Sequence, residues 1–254
     1  MHCTVNSLTS FQTVLMPTKP NRDVLLAIAA KHLDLIAEYN PYRNFPGVGN
    51  RKAFAELIGA DPAFSSFGLD SDRYAVARIG GNLITSLHRK IGDMYEETFQ
   101  YLLKCRFDLS EADLSFAVEV TIGSRTQVRS TDGVLTKGFI SGLNLPLPSG
   151  WEKSAKGMAF EVRSCYQIGD SKRIQADWDM ALALKAKQII PVMLIFCSTS
   201  LRSPVQRLRQ SWNLFEGKDT FDFIKALTGF DLLSFMCAHK ERLTAPIAAA
   251  LAKL

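Results

Sequence analysis

Met158-Ala159-Phe160-Glu161-Val162-Arg163 is the stretch on which the reading of this chain turns. Its apolar residues predict a buried strand, running from Met158 to Ile168, and Glu161 interrupts it. A carboxylate inside an apolar strand is costly unless it is paired or holds a metal ion. Side chains alternate with period two along a strand, so Glu161 and Arg163 share one face. Upstream, Asp132 sits in the turn Ser130-Thr131-Asp132-Gly133.

Outward from this strand the pattern is regular. Phe116 to Ile122 alternates apolar and polar residues and predicts a strand. Thr126 to Arg129 is a second extended piece, and Val134 to Ile140 a third. Lys172 to Gln188 predicts a helix, with Ile174, Trp178, Ala181, Leu182 and Lys185 as its stripe. Ile189 to Cys197 is an apolar strand of the kind buried on both faces. Trp212 to Phe215 predicts a short edge strand.

Helices fill the rest. Asn21 caps the first. Asn50 caps a second that runs to Ile58. Asn82 to Lys104 predicts the longest, carrying Gly92 on its way. Ser203 is expected to cap a helix with Pro204 at its first position. Thr220 to Leu227 stops at Gly229, and Pro246 starts a tail helix over Ala245 to Lys253. This order predicts an α/β fold, a central mixed β-sheet flanked by helices. Residues 1–75 form an N-terminal helical region, expected to serve recognition or dimerisation, and residues 76–254 the core.

The chain has 254 residues, of which 47% are hydrophobic and 22% charged, which excludes disordered and collagen-like classes. Thirty Lys and Arg against 25 Asp and Glu leave a formal charge of +5. That excess permits a polyanionic partner without demanding one. The first twenty residues lack the basic start and apolar run of a signal peptide. Ile189 to Cys197, the longest apolar run, is about half the ~20 residues of a membrane helix. A cytoplasmic location without a membrane partner is expected. Five cysteines, none at CxxC spacing, predict a reducing setting. The four histidines show no zinc-ligand spacing.

Two carboxylates converging at the lip of a sheet make a site for Mg²⁺, a hard ion that takes oxygen ligands and binds phosphate. Asp132 and Glu161 are those candidates. A solvated turn aspartate and a salt-bridged Glu161–Arg163 pair would leave the same pattern in the sequence.

The segment Phe160 to Ser171 (FEVRSCYQIGDS) resembles the active-site strand of PD-(D/E)XK nucleases, and more narrowly the ApaLI-like type II restriction endonucleases. Pro191 to Phe196 is similar to the strand that follows in that group. Thr220 to Leu232 is similar to its C-terminal helix and Thr-Gly-Phe-Asp-Leu stop. Thr131-Asp132-Gly133 resembles the "PD" element, with Thr131 in place of Pro. Gly92-Asp93-Met94-Tyr95-Glu96 resembles a Gly-x-x-aromatic-Glu helix segment.

The resemblance covers about Ile79 to Leu232. It implies a restriction-endonuclease-like fold and a Mg²⁺-dependent, sequence-specific endonuclease on double-stranded DNA. Asp132 and Glu161 would be its metal ligands, with Glu96 a further acid at the site. It implies as well a homodimer on a palindromic target and a cognate DNA methyltransferase in the same cell. Repair nucleases and inactive DNA-binding proteins share this fold. One departure stands out: the family's lysine is Arg163 here, and arginine effectively never loses its proton. Arg163 is thus expected to orient water and stabilise charge, unless Lys137 or Lys156 takes the lysine's place. Arg125, Arg129, Lys172, Arg173, Arg202 and Arg207 are the candidate DNA contacts, with Arg209 beside them. Asp170 is expected to cap the helix at Lys172.

Overall fold

The strand β5 (Ile189–Ile195) runs between two parallel neighbours, β4 (Gly157–Arg163) and β6 (Asn213–Glu216). The structure is a computed structural model that describes residues 18–122, 125–147, 155–167 and 171–254. Alternate residues of β5 enter two separate cores. Val192 and Leu194 pack with Phe99, Leu102, Phe223 and Ile224, whereas Met193 and Ile195 pack with Ile174, Met180 and Leu184. A strand covered on both faces needs an unbroken apolar run, and this is why Ile189 to Cys197 reads as it does.

The sheet is completed by β3 (Gly133–Thr136), antiparallel to β4, in the order β3-β4-β5-β6. Helix α7 (Ser171–Ala186) makes the crossover from β4 to β5, and α8 (Arg202–Leu208) that from β5 to β6. In chain order the other helices are α1 (Arg22–Ala37), α2 (Arg51–Gly59), α3 (Pro62–Ser65), α4 (Asp72–Phe107), α5 (Glu111–Leu114), α6 (Lys137–Ile140), α9 (Lys218–Thr228), α10 (Leu232–Ala238) and α11 (Lys240–Leu251). The fold is therefore mixed α/β, a mixed sheet flanked by helices. A separate antiparallel hairpin, β1 (Ala117–Ile122) and β2 (Arg125–Ser130), precedes the sheet.

Phe99 of α4 meets Phe160 of β4 edge to face, with ring centroids 5.0 Å apart. Burying each such side chain contributes about 1.5–3 kcal/mol. On the same face of the sheet, Tyr95 of α4 stacks on Phe196, just past β5. These contacts fix α4 along the sheet, and α4 in turn carries Glu96.

Several elements depart from the sequence reading. Helix α4 starts ten residues earlier than Asn82 and is 36 residues long, about 54 Å at 1.5 Å per residue. Gly80 and Gly81 weaken the helical signal there, while Ser71 caps the true start, accepting from the Tyr74 N–H at 3.3 Å. The division expected after residue 75 falls inside this helix. Leu25 and Leu26 of α1 belong to the core cluster that contains Phe160 and Val192.

The third strand ends at Thr136, because its partner β4 begins at Gly157, and the chain turns into α6. Strand β4 ends at Arg163, well short of Ile168. Helix α8 begins at Arg202 with no side-chain cap, so Ser203 does not cap it and Pro204 lies inside its first turn. Proline is tolerated there because the first N–H groups have no helical acceptor. Pro246 lies inside α11 instead of starting it. The caps at Asn21 and Asn50 are present, each accepting an N–H at the head of its helix.

Candidate functional site

Glu161 points from β4 to the α7 side of the sheet, the face of Ala159 rather than of Phe160 and Val162. It is buried, with its side chain 5% exposed. Arg163, two residues on, shares that face and bonds Glu161 directly. The same guanidinium lies 3.6 Å from Asp132 and 3.6 Å from Asp177. Three carboxylates from a turn, a strand and a helix thus surround one buried arginine.

Each acid is held by a separate local device. The Asp132 N–H donates to the Phe160 carbonyl at 2.9 Å, and its Oδ2 accepts the Val162 N–H at 2.7 Å. Asp132 therefore grips β4 on both sides of Glu161. Asp177 accepts the Tyr166 hydroxyl at 2.6 Å, and its carbonyl accepts the Trp212 indole N–H at 2.9 Å. Burial raises the Asp132 pKa above the ordinary carboxylate value, against the pull of Arg163 and of the Val162 N–H. Burial also raises the Tyr166 pKa, and the charge of Asp177 adds to it.

Above this cluster opens a cleft of about 330 Å³. Glu96, Asp93, His88 and Arg89 of α4 form one wall, and Arg163, Ser164 and Arg173 the other. Asp132 and Glu161 do not line it; Arg163 stands between them and the cleft. Gln100 joins wall to cluster, donating to the Asp132 carbonyl at 3.0 Å and more weakly to Glu96 at 3.4 Å. The Glu96 carboxyl is pushed up to about 7, first by burial and then by the charge of Asp132, with Arg163 opposing. A carboxyl that titrates near neutral pH can accept or give a proton there. Gly92 faces Ser164, and a Cβ at that position would meet Ser164 Oγ at 3.7 Å, an ordinary contact. The glycine is therefore not required by packing.

The site has the right donors for magnesium but not the right arrangement. Hard divalent ions take carboxylate oxygens, which Asp132, Glu161 and Asp177 supply. Yet among the described residues no three acidic, histidine or cysteine side chains are placed to hold one ion. The place between the acids is taken by the guanidinium of Arg163.

The expected site residues thus fall into groups. Asp132, Glu161 and Arg163 come together, and Glu96 faces Arg163 across the cleft. Arg173 lines the cleft from the start of α7, where Lys172 is exposed. Arg202 is clamped on Glu216 at 3.0 Å and on the Ser198 carbonyl at 2.9 Å, and Arg209 also reaches Glu216. Arg207 donates to Gln175 at 2.6 Å. Arg202 and Arg209 support the β6 and α8 corner, Arg207 ties α8 to α7, and none of the three lines the cleft. Arg129 lies half-buried on the hairpin. The side chain of Arg125, and Asp170 with its expected cap, lie outside the described residues.

Lys137 and Lys156 cannot replace the family lysine. They meet at the opposite end of β4, where the Lys137 N–H bonds the Lys156 carbonyl at 2.8 Å. Glu161 stands five residues beyond Lys156, about 17 Å further along the strand. Glu97, next to Glu96, turns the other way and bonds His32 at 2.6 Å and Lys31 at 2.7 Å on α1.

Asp177 joins the site without having been expected there. It stands three residues after Ile174, on the stripe that Met180, Ala181 and Leu184 continue. That spacing was the available signal, and an acid at a core position hid it.

Comparison with models of protein families, with curated proteins and with solved structures gave no match for this chain. Among the described residues no helix is long and apolar enough to cross a membrane.

Proposed function

We propose that this chain is an endonuclease that hydrolyses phosphodiester bonds of double-stranded DNA, in the manner of a type II restriction enzyme. One observation carries the reading: a helix acid, a turn acid and a strand Glu-x-Arg converge at the end of a mixed sheet beside a polar cleft. The order of these elements along the chain is the one the PD-(D/E)XK resemblance implies. In the cleft, Arg163 and Arg173 would stabilise the charge that develops on a phosphorane. Glu96, titrating near neutral pH, would exchange the proton of the attacking water. A restriction role also carries a dimer for a palindromic target and a methyltransferase of matching specificity.

A second reading is favoured by Arg163 itself. Its bond to Glu161 and its place beside Asp132 and Asp177 fill the space between the acids that a metal ion would take, as a DNA-binding protein without catalysis would have it. Incubation with plasmid and phage DNA, with and without magnesium, separates the two. Discrete bands that Glu161→Gln and Asp132→Asn abolish support restriction. A mobility shift without cleavage supports binding alone, and no interaction with DNA rejects both.

A further inference from the structure

Two cavities meet on α4. The first is the cleft above Arg163; the second, of about 760 Å³, lies between α4 and the segment joining α1 to α2. Thr85 and Arg89 line both, which makes them one groove. Asn82, Thr85, Arg89, Gly92 and Glu96 recur every three or four residues and so share a face of the helix. From Asn82 to Glu96 the groove runs about 21 Å, the rise of about six base pairs of duplex DNA.

The charge along the outer part is mainly positive. Arg43, Arg89 and Lys90 line it against the single acid Glu38, and Lys90 lies 3.5 Å from Asp93. Arg43 and Arg89 are exposed, and among the described residues their guanidinium groups have no ion-pair or hydrogen-bond partner. The segment that presents Arg43 is built, not slack. Asn40 Oδ1 accepts the Tyr42 N–H at 2.9 Å, and the Phe45 N–H donates to the Tyr42 carbonyl at 2.9 Å. The ring of Phe45 packs on Phe54 at 4.8 Å. The backbone that carries Arg43 is thus fixed before any ligand arrives, across the cavity from Arg89 on α4. That lowers the entropy lost on binding.

We propose that this groove is a second binding site, for the sugar-phosphate backbone of DNA leading away from the cleft, with Arg43 and Arg89 as its phosphate contacts. The inference rests on the reading of the cleft as a nuclease site. It assigns part of the α1–α4 region to positioning of the substrate, since backbone contacts fix register without reading sequence.

The test is binding of a fluorescent 24-base-pair duplex in EDTA, followed by anisotropy across a salt series. Three proteins are compared: wild type, Arg43→Ala/Arg89→Ala, and the control Lys187→Ala/Lys240→Ala, whose lysines are exposed and line neither cavity. Each phosphate contact adds about 0.9 to the slope of log affinity against log salt. The groove variant is expected to bind more weakly with a slope smaller by about 1.8, and the control to match wild type. Because all four side chains are exposed, unchanged melting curves establish folding. An unchanged slope, or an equal change in the control, overturns the inference. So does a dimer in sedimentation that the groove variant breaks while DNA binding persists. Failure of the nuclease reading looks different: groove-dependent binding with no cleavage in magnesium. Cleavage with an unchanged slope leaves the nuclease standing without the groove, and a wild-type protein that does not bind DNA removes both.

Discussion

Replacing Arg163 by alanine would leave Asp132, Glu161 and Asp177 facing one another without a cation. Their side chains are 15%, 5% and 4% exposed, so water cannot screen them well. Removing one partner of a buried ion pair typically costs about 3–5 kcal/mol. For a chain of this size 1 kcal/mol moves the Tm by about 2–4 °C, which gives a fall of about 6–20 °C. Arg163→Lys keeps a charge but not the fork of the guanidinium, and should lose less than half of that. Protonation can relieve the crowded acids, so the deficit of Arg163→Ala should shrink at pH 5 relative to pH 8. Thermal melts of the three proteins at both pH values test this. A fall below about 3 °C, or equal falls for alanine and lysine, would refute the claim that this guanidinium holds the acids together.

Three further outcomes follow from particular contacts. Glu96 has a folded pKa of about 7 against an ordinary 4.5, so the folded state holds its proton more tightly. Its contribution is present below pH ~4.5 and lost as pH rises through ~7; Glu96→Gln should flatten stability across that window, and denaturant titrations at several pH values will show whether it does. Gly157→Ala would place a Cβ 2.5 Å from the Leu135 carbonyl oxygen. Because that oxygen belongs to the β3 backbone, the change should cost about 1–3 kcal/mol, and a neutral result in urea melts would contradict the close approach of β3 and β4. Tyr166→Phe removes the hydroxyl that Asp177 accepts at 2.6 Å; unfolding should become easier by about 1–3 kcal/mol, and an unchanged urea midpoint would contradict the bond.

Much of the fold was legible in the sequence where one interaction dominates. The run Ile189 to Cys197 announced a strand covered on both faces, and Asn21 and Asn50 announced helix starts, since each needs only local chemistry. The start of α4 was not legible, because Gly80 and Gly81 oppose a helix whose first turns are sustained by the packing of Ala75 and Ile79 on Phe54 and Ile58 of α2. The pairing of Glu161 with Arg163 followed from period two alone. Asp177 did not, since its place depends on how α7 lies across β4. The hydrogen bond from Val162 to Asp132 was equally hidden, being set by where the chain passes from the hairpin into β3 beside β4.

That bond has a consequence for any mutational dissection. The Thr131 N–H donates to Phe116 at 2.9 Å, so the main chain before β3 is engaged with the hairpin, and the Asp132 side chain takes the Val162 N–H in its stead. One oxygen is thereby spent as an honorary backbone carbonyl. Asp132→Ala would confound lost chemistry with a frayed strand, since it strips β4 of an acceptor beside Glu161. Asparagine keeps the carbonyl and removes only the charge, so the difference between the two variants separates architecture from electrostatics at a single atom.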